Sequence, residues 1–409
     1  MKLLRLAAVV CVLLAGCRSG DSSDASAPEE VWVGTWATAP QLVEPHNMPP
    51  PPGLAGNTLR QIVHVSLGGD RLRVRFSNEY GKTPMVLQAV HLADAREGSA
   101  IDPATDRVLT FGGHPSVTIP PGGTVTSDPF DYPLRPLSNV AITIYFGEVP
   151  ADLTGHPGSR TTSYLQEGNA VDAPEMPDAV TFERWYVING IDVVAPDAAV
   201  VVTLGNSITD GRGSGTNKQN RWPDELARRL QSDPRTRRVG VVNMGIGGNC
   251  VVRQCLGPSA RERFARDVLH QPGARWVIVF EGINDIGGAE GGLEGALAIA
   301  DSLIAAYRWM IDQAHARGLR IYGATLLPFE GAFYYTPERE QARQRVNEWI
   351  RTSGAFDAVI DLDAALRDPT HPTRLHPDWD TGDHLHPNEA GHRRIAEAID
   401  LTLFVDDAP

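Results

Sequence analysis

The chain has 409 residues but only four cysteines, and it carries no surplus of positive charge. Apolar runs of membrane-spanning length are missing as well: the stretch at residues 6–14 is far shorter than the ~20 residues a spanning helix needs. Two of the cysteines, Cys11 and Cys17, lie at the N-terminus, so Cys250 and Cys255 alone cannot complete a thiolate zinc site. With 37 Lys+Arg against 50 Asp+Glu the net charge is −13, which repels phosphate and excludes a general nucleic-acid binder. A dominance of polar residues is absent too: 42% of the chain is hydrophobic and 21% charged, so disorder over the whole length is excluded. What is abundant is turn chemistry, 40 Gly and 31 Pro, pointing to a β-rich component.

Lys2 and Arg5 followed by an apolar core have the form of a secretory signal. The signal ends in Leu14-Ala15-Gly16-Cys17, which resembles a bacterial lipobox and implies lipidation of Cys17. Residues 1–16 are therefore expected to be a lipoprotein signal peptide, and 17–30, rich in Ser, Asp and Ala, a solvated tether. An exported, lipid-anchored protein of the cell envelope is the expectation. In an oxidising compartment Cys250 and Cys255, five apart in a Gly-containing loop, are expected to form a disulfide; two free thiols are the alternative.

The body divides into two halves. From 31 to 195 strand signals dominate. Leu72, Val74 and Phe76 alternate with Arg71, Arg73 and Arg75, and Val140, Ile142, Ile144 and Phe146 alternate in the same way. Gly68-Gly69-Asp70, between the first of these runs and the preceding apolar positions Leu59, Val63, Val65 and Leu67, reads as a hairpin turn. Short strands with such turns predict a jelly-roll-like β-sandwich. From 196 to 409 apolar strand-like runs (198–204, 239–244, 276–280, 319–326 and 358–362) alternate with helical patterns (222–231, 259–270, 293–314, 337–351 and 388–401). This predicts a three-layer, flavodoxin-like α/β domain with a five-stranded parallel sheet, whose ligands bind beyond the carboxyl ends of the strands.

Four loops at that edge hold chemically capable residues. GNSITDG follows the first strand and places Ser207 in a strand-to-helix turn. It is not Gly-x-Ser-x-Gly, so the nucleophile elbow fits poorly. NMGIGGN follows the second strand and can expose backbone N–H groups to an anion. GIND follows the third and offers the Asn284 amide. DHLHP precedes the last helix; Asp383, three residues before His386, can hold that imidazole in one tautomer. Taken singly, each has a bland reading as a turn, a cap or a surface His cluster. Zinc on Asp383, His384 and His386 is a rival, but it leaves Ser207 without a role.

Together the four blocks resemble the SGNH hydrolases, the GDSL-type esterases and lipases, over about 200–399. Asn206 stands where the family motif has Asp. WVGTWATAP, SNEYG and Ser127-Asp128-Pro129 resemble the β-domain of a secreted two-domain branch akin to polysaccharide acylesterases. The resemblance implies Ser207 as nucleophile, His386 as base and Asp383 as its orienter. It implies an oxyanion hole from the Ser207 N–H, the Gly248 N–H and the Asn284 amide, with no metal and no organic cofactor. The implied partner is an ester substrate, an acylated carbohydrate, with a membrane contacted only through the lipid anchor. A lipase, lysophospholipase or thioesterase using the same residues is an alternative, and a glycan-binding protein with an inactive hydrolase half is another. Arg212, Arg221, Trp222, Phe333, Tyr334 and Tyr335 are candidates to line the cleft, with Trp222 also suited to helix packing; Glu281 reads as structural.

Overall fold

The computed structural model describes residues 30–405. The expected signal peptide, the expected lipidation site Cys17 and the expected tether up to residue 29 lie outside the described residues. The N-terminal half contains two antiparallel sheets. One is ordered Trp32–Ala37, Ile188–Val194, Gly69–Ser77, Thr124–Thr126, with Phe130–Leu134 also paired to Gly69–Ser77. The other is ordered Val180–Phe182, Ser163–Glu167, Asn57–His64, Asn139–Phe146, Met85–Asp94, Arg107–Val108, with Val117–Ile119 on Met85–Asp94. A small third sheet joins Trp185–Tyr186, Thr154–His156 and Gln41–Leu42. The expected alternation holds: Leu72, Val74 and Phe76 from the first sheet and Val140, Ile142, Ile144 and Phe146 from the second are all fully buried in one apolar cluster. On the opposite parity, Arg73 and Arg75 turn to the fully buried Asp192 at 2.9 and 3.2 Å.

The hairpin at Gly68-Gly69 is not formed. Asn57–His64 pairs with Asn139–Phe146 and Ser163–Glu167, whereas Gly69–Ser77 belongs to the other sheet. The chain crosses between sheets here. Glycine serves a close approach rather than a turn: a Cβ on Gly68 would lie 2.6 Å from the Leu134 carbonyl oxygen.

The second half forms a parallel sheet from β1 (Ala199–Gly205), β2 (Val239–Gly245), β3 (Ala274–Phe280), β4 (Arg320–Ala324) and β5 (Ala358–Ile360), in the order β2-β1-β3-β4-β5. This is the flavodoxin-like order expected of a doubly wound sheet. Its helices are α1 (Ser207–Asp210), α2 (Trp222–Ser232), α3 (Ala260–Phe264), α4 (Ile283–Gly287), α5 (Gly292–His315), α6 (Pro337–Thr352), α7 (Leu362–Leu366) and α8 (Glu389–Glu397). Successive residues of each strand point to opposite faces, so both faces are apolar. Val200, Val202, Val277 and Val279 pack in the cluster that holds α3, α5 and α6 side chains. Val201, Trp276 and Ile278 pack in the one that holds α2, α7 and α8. These are the three predicted layers. The last helix is shorter than expected: α8 ends at Glu397, and Leu401–Phe404 is a 3-10 turn. After α3 the chain widens into a π-turn over Ala265–Leu269.

β2 is an edge strand, and the sandwich covers it. Val241 donates its N–H to Ser66 Oγ at 3.0 Å, and Gly34 donates to the Pro272 carbonyl at 2.9 Å. The apolar cluster of the sandwich runs on into the helical layer containing α5.

Candidate active site

The loops leaving β1, β2 and β3 meet the loop before α8 at the carboxyl edge of the sheet, as the strand order dictates. Asn206 caps α1, its Oδ1 accepting the Ile208 N–H at 3.1 Å. Gly211, at φ +115°, ends this single turn of helix. The short helix presents Ser207 at its N-terminus. Ser207 Oγ lies 2.8 Å from His386 Nε2, although the two are 179 residues apart in sequence. His386 Nδ1 lies 2.6 Å from Asp383 Oδ2. The other carboxylate oxygen accepts the backbone N–H groups of Leu385 and His386 at 3.0 and 2.8 Å. With Asp383 as acceptor, the ring proton sits on Nδ1 and leaves Nε2 free to accept from the serine hydroxyl. Burial works against the Asp383 charge, but its hydrogen bonds from His386 and Leu385 prevail and hold its pKa down to about 2. Burial lowers the pKa of His386 below 6.5; Asp383 opposes this, while Arg212 and Arg160 add to it. The imidazole is thus kept neutral.

Beside the hydroxyl lie backbone and amide donors. Among the described residues, the N–H groups of Ser207 and Gly248 are not donated to any protein acceptor. Gly248 has φ +71°, and a Cβ there would meet Leu256 Cδ1 at 2.7 Å, so glycine is required on both counts. Asn284 gives one amide proton to the Asn249 carbonyl at 2.8 Å and accepts from Tyr334 Oη at 3.4 Å. Its second amide proton remains for a ligand. A fully buried guanidinium ties these loops together. Arg263 donates to the Met244 carbonyl at 2.6 Å, the Gly205 carbonyl at 3.1 Å and Asn249 Oδ1 at 2.9 Å, with Asp267 at 3.0 Å as its counter-ion. Asp285 accepts the N–H groups of Val251 and Val252 at 2.8 and 3.1 Å, and Cys250 is disulfide-bonded to Cys255. The stretch after Gly248 is therefore pinned from several sides.

Residues 203–394 match the GDSL-like lipase/acylhydrolase family. This segment is a GDSL-like acylhydrolase domain, and the protein is a carboxylic ester hydrolase. Solved structures that resemble it include an acetylxylan esterase from Geobacillus stearothermophilus, 24% identical, with 49% of this chain and 91% of that one covered and a TM-score of 0.37. An alpha/beta hydrolase from the metagenome of Lake Arreo, Spain, is 22% identical, covering 49% and 94% of the two chains, with a TM-score of 0.35. A further acetyl xylan esterase, AlAXEase, is 19% identical, covering 49% and 96%, with a TM-score of 0.36. No curated protein matches the chain.

The acylhydrolase site opens into a cavity of about 600 Å³, a size suited to a small ligand. Ser207, Gly248, Asn284, Asp383, His386, Arg212, Phe333 and Tyr334 all line it. Three candidates do not. Trp222 is 1% exposed and packs in the core under α2, so the packing role applies. Arg221 is buried and donates to the Ser159 carbonyl while stacking over Trp185 at 5.4 Å. Tyr335 turns away to pack edge-on against Phe329 at 5.2 Å. Tyr334 faces the cleft but is engaged with the Asn284 amide as well. His384 points to Asp380 at 2.7 Å instead of converging with His386, so the three residues of the zinc alternative do not gather. Glu281 is fully buried, and burial pushes its pKa well above the usual carboxylate range.

The sandwich supplies a wall of the acylhydrolase cavity that the sequence did not signal: Gln41, Glu44, Asn47, Pro157, Gly158 and Arg160. Behind this wall His156 is buried, with Nδ1 on the Ala39 carbonyl at 3.0 Å and Nε2 on Asp210 of α1 at 2.8 Å. The wall residues come from two short stretches, 41–47 and 157–160, both far in sequence from the four blocks around Ser207, Gly248, Asn284 and His386. Only WVGTWATAP, just before Gln41, hinted at the region.

Proposed function

We propose that this protein is an exported, lipid-anchored serine esterase that removes short acyl groups, acetyl above all, from a polysaccharide. The observation that carries the catalytic part is the unbroken chain from Ser207 Oγ through the His386 ring to Asp383, at 2.8 and 2.6 Å. Ser207 attacks the ester carbonyl as His386 Nε2 takes its proton. The imidazolium is stabilised by Asp383 and returns the proton to the leaving alcohol, giving an acyl-enzyme. A water then repeats the sequence and releases the acid. The developing oxyanion is held by the Ser207 and Gly248 N–H groups and the Asn284 amide. The carbohydrate part is supported by the polar wall of Gln41, Glu44 and Asn47, whose amides and carboxylate suit a hydroxyl-rich alcohol. Export is supported by the form of residues 1–17.

A serine-directed phosphonate should label one residue, Ser207, as located by mass spectrometry. Profiling p-nitrophenyl esters by chain length against acetylated xylan tests the substrate. Preference for long chains would move the assignment to a lipase or thioesterase, and labelling elsewhere would end the nucleophile assignment.

A further inference from the structure

Three carboxylates line the cavity, and each has a partner. Glu44 accepts from Gln41 Nε2 at 2.6 Å and Asn47 Nδ2 at 3.0 Å; Asp210 faces His156; Asp383 holds His386. The two guanidinium groups are differently placed. Arg212 has Nε 4.0 Å from Asp383 Oδ2, and its side chain is largely exposed. Arg160 lines the cavity with its Nε buried and without a hydrogen-bond partner, and among the described residues no carboxylate pairs with it. In a chain of net charge −13, an unpaired cation held inside a cleft is out of keeping with the rest of the molecule.

The backbone holds it there. Arg160 has φ +49°, a left-handed conformation that a residue with a Cβ keeps only when its surroundings fix it. Asn217 donates its N–H to the Arg160 carbonyl at 3.0 Å, and its Oδ1 takes the Thr162 N–H at 2.8 Å. Arg221 binds the Ser159 carbonyl. Both cleft arginines are close enough to the His386 ring to oppose its protonation, so their charge reaches the reacting centre. A guanidinium presents a planar fork of donors that matches a carboxylate.

We propose that Arg160, together with Arg212, forms a carboxylate subsite, so that the enzyme prefers acyl esters of acidic, uronic-acid-bearing glycans to those of neutral ones. This rests on the esterase reading above and narrows its alcohol. The carboxylate belongs to the sugar because Arg160 shares its wall with the polar groups of Gln41 and Asn47.

The test uses two esters identical but for one group: methyl glucoside and methyl glucuronoside, each acetylated at the same hydroxyl. The wild-type kcat/KM should favour the glucuronoside by roughly tenfold at low ionic strength, the worth of one charge-assisted contact, and the preference should shrink as salt is added. Arg160→Met should erase the preference, chiefly by raising KM for the acidic ester, and Arg160→Lys should recover part of it. Equal kcat/KM on the two esters in the wild type would overturn the subsite. So would an Arg160→Met variant that lowers both in proportion with a displaced pH profile, since Arg160 would then act through His386. A succinylated glucoside outpacing the acidic sugar would put the carboxylate on the acyl group and overturn the glycan assignment. Hydrolysis of neither sugar ester nor p-nitrophenyl acetate would instead sink the esterase reading itself.

Discussion

The two walls of the cleft are built by opposite means. On the hydrolase side, Ser207, Gly248 and Asn284 each sit just past the carboxyl end of a strand, and the order β2-β1-β3 sets Ser207, the proposed nucleophile, between Gly248 and Asn284. Their spacing is inherited from neighbouring strands about 4.8 Å apart, so it needs little help from side chains. On the sandwich side, Gln41 comes from a two-residue strand, Glu44 precedes and Asn47 ends a 3-10 turn, and Arg160 sits in a loop at φ +49°. Little there follows from a regular lattice: Glu44 is held by Gln41 and Asn47, and Arg160 through its backbone carbonyl. On the proposed reading the contrast is a division of labour: bond-breaking falls to a rigid sheet edge, and selection of the alcohol to irregular segments that tolerate change.

That division breaks first if Ser207→Ala keeps activity. Turnover of p-nitrophenyl acetate should fall by a factor on the order of 10⁴ or more, with an unchanged unfolding midpoint. Asn284→Ala on the same wall should lower kcat by about 10²–10³ while KM moves little; a change confined to KM would remove it from the oxyanion hole. Across the cleft the pattern should invert. Glu44→Ala loses its bonds to Gln41 and Asn47, and KM for acetylated glycan should rise about fivefold, with a smaller effect on kcat. A kcat loss as large as that of Asn284→Ala would erase the distinction. The smallest effect is one of position on the pH axis. As the proposed base His386 must be neutral, and burial lowers its pKa below the ordinary 6.5. The rising limb of kcat/KM should therefore have its midpoint below pH 6.5 and level off above it; a midpoint above 7 would contradict the burial of the ring.

The same contrast explains what was legible in the sequence. Runs such as 198–204 and 239–244 announce strands buried on both faces, and the five of them in alternation with helices dictate the sheet. The short blocks around Ser207, Gly248, Asn284 and His386 stand at strand ends, where sequence position and spatial position are tightly linked. The wall from the sandwich lacks that link: Gln41 and Arg160 meet through pairing between short strands and loops more than a hundred residues apart, and neither carries a local pattern. Trp222 was ambiguous because an indole next to a motif suits a cleft or a core equally well, and only burial under α2 decides. Gly68-Gly69 misled because glycine marks close approach as readily as a turn.

The cover over β2 has a practical corollary. Ser66 satisfies an N–H of that edge, and the chain from Val31 onward is one compact body. A shortened protein beginning near residue 196 would bare an unpaired strand and part of the shared apolar interior, inviting self-association. The acylhydrolase segment is thus a poor candidate for excision: dissecting this enzyme into a catalytic fragment and a free-standing appendage would yield precipitate sooner than insight, and swaps between relatives should exchange both halves at once.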